Sequence, residues 1–234
     1  MQASHPAVIV ALDVASGEQA RGIVAALGDS ASFYKIGLQL LTADGPGLAR
    51  ELVAAGKQVF LDLKLHEIPN SVAGAVAAAG ALGATMVTVH ASGGSAILRA
   101  AVEAACAWPQ LQVLALTVVT SLREADLQEV GITATVDEQV LRLAGLADAA
   151  GCHGVVASPR EAALLRSRLH AGMLIVTPGI QLASEAATDQ ARVATPAAAM
   201  RAGATHIVVG RSLAQAADPR AAMARVCQDV AGAL

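Results

Sequence analysis

The chain is poor in aromatic residues, with one Trp, one Tyr and two Phe among 234 residues. So few rings, so widely scattered, make no stacking platform for nucleic acid. Charge is scarce too: 15% of residues are charged and the net charge is −3. That excludes the basic field that carries nonspecific nucleic-acid binding, so an anionic ligand must be met by a local cluster. The cysteines, Cys106, Cys152 and Cys227, are odd in number and show no CxxC or Cys/His spacing. That pattern argues against a disulfide framework or a zinc site and fits a reducing cytoplasm. Residues 1–6 lack a basic segment followed by an apolar one, so no secretory leader is expected there. Residues 68–89 carry no charge and are long enough to cross a bilayer. They open on Pro69-Asn70-Ser71, contain Gly74, Gly80 and Gly83, and are apolar mainly through alanine. A buried helix followed by a buried strand fits them better than a membrane span.

What the chain does have is apolar surface, 55% of residues, enough for one large core and a single domain over 1–234. Short apolar runs at 7–14, 32–38, 58–64, 85–91, 112–119, 154–158, 174–180 and 206–213 read as strands. Helical patterns follow at 17–27, 44–55, 70–82, 94–107, 137–150, 159–169, 196–202 and 219–233. Start signals stand at Ser158-Pro159, Thr195-Pro196 and Asp218-Pro219, and stop signals at Gly28, Gly56, Gly83, Gly151 and Gly203. Strands that are apolar throughout and alternate with helices imply a parallel sheet covered on both faces. Eight such units in this length imply a closed α/β (β/α)8 TIM barrel, a fold of roughly 250 residues. The alternative is an open doubly wound sheet, but the first strand leads into Asp13-Val14-Ala15-Ser16-Gly17 and not into a GxGxxG turn. Segments 121–136 and 181–194 exceed what a βα loop needs and are candidate lids.

The densest chemistry lies in 60–72, where Asp62, Lys64, His66 and Glu67 follow an apolar run and precede Pro69. Asp62 and Lys64 are two apart and share one face of a strand, opposite Leu61, Leu63 and Leu65. Buried charges cost several kcal/mol per ion unless paired, so a core strand has little structural reason to carry them. In a barrel the site lies at the carboxyl ends of the strands. Those ends bring Asp13, Lys35, Asp62, Lys64, His90, Thr117, Thr120, Thr177-Pro178-Gly179 and Gly210-Arg211-Ser212 to one rim. Gly210-Arg211 opposite Thr177-Pro178-Gly179 has the chemistry of a phosphate site, bare N–H groups beside a guanidinium fork, and Gln190 and Arg192 are placed to close over it. Lys35, Asp62 and Lys64 form an alternating array suited to stabilising and protonating a carbanion, as in loss of CO2. The other chemistry open to these residues is a hard divalent ion on Asp13, Asp62, Glu67 and His90, against which the two lysines argue. His90 and His66 read more simply as hydrogen-bonded structural residues.

These residues resemble a known family. Ala11-Leu12-Asp13-Val14, Tyr34-Lys35-Ile36-Gly37, Leu61-Asp62-Leu63-Lys64-Leu65-His66 with Ile68-Pro69-Asn70, Val89-His90-Ala91-Ser92-Gly93-Gly94, Val118-Val119-Thr120-Ser121, Thr177-Pro178-Gly179-Ile180, Asp189-Gln190 and Gly210-Arg211 follow, in order, the pattern of bacterial orotidine 5′-monophosphate decarboxylases. The resemblance implies a cofactor-free, metal-free homodimer that converts this small nucleotide to uridine 5′-monophosphate. It implies Lys64 as proton donor to C6 of the pyrimidine, Asp62 beside the departing CO2, and Lys35 and Asp13 on the ribose. The binding stretch would continue through Leu63, Leu65, His66, Glu67, Ile68, Pro69, Asn70 and Ser71, with Thr120 and Ser121 on the pyrimidine edge. Gln181, Gln190, Gly210 and Arg211 would hold the phosphate, and Glu67 would reach the neighbouring subunit's site. Two positions depart: the family has Asp where this chain has Glu67, and Arg where it has Gln181. A shifted rate or weaker phosphate affinity is expected from them, without loss of function. A sister barrel acting on a sugar phosphate with a divalent metal, and a nucleotide-binding barrel without turnover, are the alternatives.

Overall fold

The structure is a computed structural model that describes residues 5–182 and 194–233. Eight strands, β1 (Val8–Ala11), β2 (Phe33–Gly37), β3 (Gln58–Leu65), β4 (Met86–His90), β5 (Gln112–Leu116), β6 (Gly154–Val156), β7 (Leu174–Ile180) and β8 (His206–Val209), close in sequence order into a parallel barrel. Around it, among the described residues, lie α1 (Gly17–Leu27), α2 (Leu38–Asp44), α3 (Gly47–Ala54), α4 (Pro69–Ala81), α5 (Ser95–Ala105), α6 (Glu124–Glu129), α7 (Val136–Ala149), α8 (Ala162–Arg166), α9 (Pro196–Arg201), α10 (Arg211–Ala214) and α11 (Pro219–Ala231). The expected (β/α)8 barrel is the observed fold.

The strands are apolar on both faces because each face has its own core. Ile9, Ala11, Phe33, Phe60, Met86, Leu114, Leu116, Val156, Val176 and Val208 pack together inside the barrel. The alternate positions, such as Val8, Val10, Tyr34, Ile36, Leu61, Val87 and Val113, pack outward under the helices. This period of two fixes what comes next. Two residues beyond Ala11, Phe33, Phe60 and Met86 stand Asp13, Lys35, Asp62 and Thr88, and two beyond Val176 and Val208 stand Pro178 and Gly210. The apolar filling thus gives way to a polar layer at the carboxyl rim.

The ladder is regular except in two places, both at that rim. From Leu61↔Val87 to Leu65↔Val89, β3 advances four residues while β4 advances two. From Thr177↔Ile207 to Ile180↔Val209, β7 gains one residue on β8, at Pro178-Gly179. Proline lacks an N–H and Gly179 has a φ of 80°, so the pair suits a bulge.

Helix starts follow local chemistry. Thr195 and Asp218 accept hydrogen bonds from the N–H groups of Ala198 and Ala221, each ahead of a first-turn proline. Several expected boundaries move. Strand 7–14 ends at Ala11, and strand 206–213 ends at Val209 because Arg211 opens α10. Strand 32–38 ends at Gly37, which precedes an additional helix, α2, and the helix expected at 44–55 begins only at Gly47, as α3, after the break at Gly45-Pro46. Segment 121–136 is not one long loop: it contains α6, whose first turn is closed by Asp126 accepting from the Arg123 N–H at 2.7 Å. The Ser158-Pro159 signal does not start α8, which begins at Ala162; the Ser158 N–H donates instead to Glu161 Oε2 at 2.8 Å. No described helix is long and apolar enough to cross a membrane, and 68–89 is α4 followed by β4.

Candidate active site

The rim opens into a cavity of about 600 Å³, lined among others by Asp13, Lys35, Asp62, Lys64, Thr120, Pro178, Gln181, Gly210, Arg211 and Gln215. Lys35 and Lys64 are two of the chain's three lysines, which concentrates cationic amines at this mouth. Lys35 Nζ lies 2.8 Å from Asp13 Oδ1 and 3.6 Å from Asp62 Oδ2, and Lys64 Nζ lies 2.8 Å from Asp62 Oδ1. The four groups make a row of alternating sign, Asp13, Lys35, Asp62, Lys64. Lys35 is the buried member, while the Asp13 carboxylate reaches solvent.

Burial works against the ionised form of Asp62, but the Lys35 and Lys64 ammoniums and hydrogen bonds from Lys64 and Thr88 outweigh it. The carboxyl is held below the usual aspartate range. Thr88, fully buried on β4, donates its hydroxyl to Asp62 Oδ1 at 3.0 Å and accepts the Lys64 backbone N–H at 2.9 Å.

Lys64 has a φ of 48°, the one described residue other than glycine in the left-handed region. That conformation costs a side-chain-bearing residue about 1–2 kcal/mol. It coincides with the β3 bulge. Because the bulge adds an even number of residues, Leu65 still faces outward, and Asp62 and Lys64 still face the cavity.

Asp13 and Asp62 meet through the Lys35 ammonium, and among the described residues no three carboxylate, imidazole or thiol groups converge as ligands of a metal. His90 stacks on His66, ring centroids 5.1 Å apart, and its Nδ1 lies 2.6 Å from Ser92 Oγ. Burial, then His66 and Lys64, hold the His90 imidazole below the ordinary histidine range.

Residues 6–226 match the model of the orotidine 5′-phosphate decarboxylase / HUMPS family. The chain belongs to this family. Among relatives in it, orotidine 5′-phosphate decarboxylase of Halorhodospira halophila is 49% identical over 229 residues, 97% of this chain and 97% of the relative. That of Chromobacterium violaceum is 47% identical over 224 residues, covering 95% and 91%. A crystal structure of orotidine 5′-phosphate decarboxylase from Lactobacillus acidophilus superposes with a TM-score of 0.86 at 36% identity, over 95% of this chain and 98% of that one.

The described positions that the family resemblance singles out fall into three groups. Asp13, Lys35, Asp62, Lys64, Thr120, Gln181, Gly210 and Arg211 converge on the cavity. Leu63 and Leu65 are half-buried and pack against the outer core instead. Residues 66–71 lie past the end of β3, exposed at the rim, and Ser121 is exposed beside Thr120, outside the lining. Glu67 does not join the charge row within this chain. It accepts hydrogen bonds from the Ile68 N–H and the Ser71 side chain, which lower its pKa, at the start of α4. Gln190 and Arg192 lie outside the described residues. The base of their segment is closed by the Gln181 N–H to the Ala194 carbonyl at 3.0 Å and the Ala194 N–H to the Gly179 carbonyl at 3.2 Å.

Thr117 and Thr177, expected at the rim, are buried on the far side of their strands; the Thr117 hydroxyl donates to the Val156 carbonyl. The sequence reading missed Leu38 and Gln215, which line the cavity, and Thr88. The signal for Thr88 was its place on β4, two residues after inward Met86.

Proposed function

We propose that the chain catalyses decarboxylation of orotidine 5′-monophosphate to uridine 5′-monophosphate, the last step of de novo synthesis of that nucleotide, as a single barrel domain without metal or cofactor. The observation that carries this reading is the Asp13-Lys35-Asp62-Lys64 row beside the cavity. The curated relatives that bear the name of this enzyme favour it over the sugar-phosphate branch of the family. A cavity of about 600 Å³ has room for a nucleoside monophosphate.

In the reaction the bond between C6 and the carboxylate breaks, its electron pair stays on C6, CO2 leaves, and Lys64 Nζ delivers the proton that C6 takes up. The carbanion forms beside an ammonium already held in place by Asp62, so little reorganisation is needed as charge develops. Asp62 faces the substrate carboxylate and favours its departure. Asp13 and Lys35 bind ribose hydroxyls, and Thr120 with Ser121 reads the pyrimidine. Across the mouth Gln181, Gly210 and Arg211, joined by Gln190, hold the phosphate.

The working form is a homodimer in which Glu67 of one copy serves the other copy's site. Its exposure at the rim, next to Ile68 with 61% of its surface accessible, supports that arrangement. The unpaired cysteines and the net charge of −3 suit a cytoplasmic enzyme with no nucleic-acid partner. The test is to incubate purified protein with orotidine 5′-monophosphate and resolve the products by chromatography. Uridine 5′-monophosphate is expected; unchanged substrate counts against the reading.

A further inference from the structure

Opposite the bulge of β3 stands a single residue. Between the pairs Leu61↔Val87 and Leu65↔Val89, β3 uses Asp62, Leu63 and Lys64 where β4 uses Thr88 alone. Such a bulge leaves ladder groups without their regular partners. The Lys64 N–H has found one in the Thr88 hydroxyl, at 2.9 Å, and that hydroxyl in turn donates a hydrogen bond to Asp62 Oδ1 at 3.0 Å. The polarity is fixed by chemistry, because an amide N–H can only donate and a carboxylate can only accept. Thr88 is fully buried and β-branched, so its hydroxyl has little freedom to leave.

We propose that Thr88 is a positioning residue: by bridging the Asp62 carboxylate and the left-handed backbone of Lys64, its hydroxyl fixes the spacing at which the Lys64 ammonium meets the reacting carbon. The inference rests on the proposed decarboxylation for its kinetic consequence and on geometry alone for its structural one. Thr88 does not line the cavity, so it acts only through the two residues it holds. Misplacement by about 1 Å at a reacting centre costs up to about a hundredfold in rate. The shape of the site for ground-state binding depends far less on one buried hydroxyl.

The test compares wild type, Thr88→Val, which keeps the shape and loses both hydrogen bonds, and Thr88→Ser, which keeps both and loses a methyl. Thr88→Val is expected to lower kcat by about tenfold to a hundredfold with KM within about threefold. Thr88→Ser is expected to stay within about threefold of wild type in both, since the bridging hydroxyl survives. Hydrogen exchange of the Lys64 amide, followed by NMR, is expected to quicken in Thr88→Val and not in Thr88→Ser. Wild-type kcat in Thr88→Val, an equal fall in Thr88→Ser, or unchanged Lys64 exchange in Thr88→Val overturns the proposal. Should wild type release no CO2, the functional reading fails, and the exchange measurement alone decides for or against Thr88.

Discussion

Lys64 Nζ sits 2.8 Å from Asp62 Oδ1 on a residue whose own backbone is left-handed, with φ at 48°. A strand of regular pleat would also put both side chains on one face. The bulge does something further, because it gathers the two residues opposite a single position of β4 and spends conformational energy to do so. Strain of this kind persists only where the surroundings over-determine it, and here it falls on the proposed proton donor.

The proposed phosphate end of the cavity is separable from the charge row. Arg211→Ala removes the guanidinium from the proposed phosphate site while leaving Asp62 and Lys64 in place. Loss of a charge-assisted contact of about 1.5–3 kcal/mol corresponds to a rise in KM of roughly tenfold to a hundredfold. Steady-state kinetics check this, with kcat expected to fall by less than KM rises.

Glu67 tests the proposed dimer. Glu67→Ala and Lys64→Ala proteins are each expected to be weakly active, and mixing them under conditions of subunit exchange should restore turnover. Random pairing in a two-fold dimer leaves about a quarter of the sites intact, and that is the recovery expected. No recovery after demonstrated exchange contradicts a contribution of Glu67 across subunits. Glu67→Asp introduces the acid that the family resemblance implies at this position and is expected to keep activity.

Gly154 in β6 has no room for a side chain: a Cβ there would come within 2.6 Å of Leu174 Cβ and 2.7 Å of the Leu174 carbonyl oxygen. Gly154→Ala forces two strands of the barrel apart and is expected to cost about 1–3 kcal/mol. A lower urea midpoint at unchanged slope is the readout.

Much of this was legible in the sequence. All eight strands were found from apolar runs, and the inward positions of Lys35, Asp62 and Gly210 follow from counting in twos along them. The short helices were not. Leu38 and Leu213 belong to helical turns, α2 and α10, yet each prolongs the apolar pattern of the strand before it, so the strands were read too long. The inward face of Thr88 follows from the same count, but what it does there was hidden for another reason. Its role depends on a register shift between two strands, and nothing in 85–91 alone records what β3 does opposite it. Thr117 and Thr177 were misplaced because a strand-end threonine faces the rim or the helices according to parity, which only an exact register settles.

Stability should fall on mild acidification. Burial lowers the pKa of His153 and His206 and, with His66 and Lys64, that of His90, so the unfolded chain takes up protons below about pH 6.5 that the native state refuses. The stabilisation is complete above that pH and is lost as pH drops through the three native values. Asp62, also lowered, adds to the loss only in stronger acid, below about pH 4. Urea midpoints between pH 7.5 and 5, buffer values chosen to span roughly one unit either side of the free imidazole, are expected to decline. His206→Gln, far from the cavity, should flatten part of that slope.

The most direct test of the central claim uses the purified protein after exhaustive treatment with a chelator. Orotidine 5′-monophosphate is added and its ultraviolet absorbance is followed, with Lys64→Ala in parallel and binding of uridine 5′-monophosphate measured for both. The account predicts turnover by the chelated wild type, and a fall in kcat of about 10²–10⁴-fold in Lys64→Ala with nucleotide binding retained. Full activity in Lys64→Ala, or a wild type that binds uridine 5′-monophosphate and leaves orotidine 5′-monophosphate untouched, would contradict it.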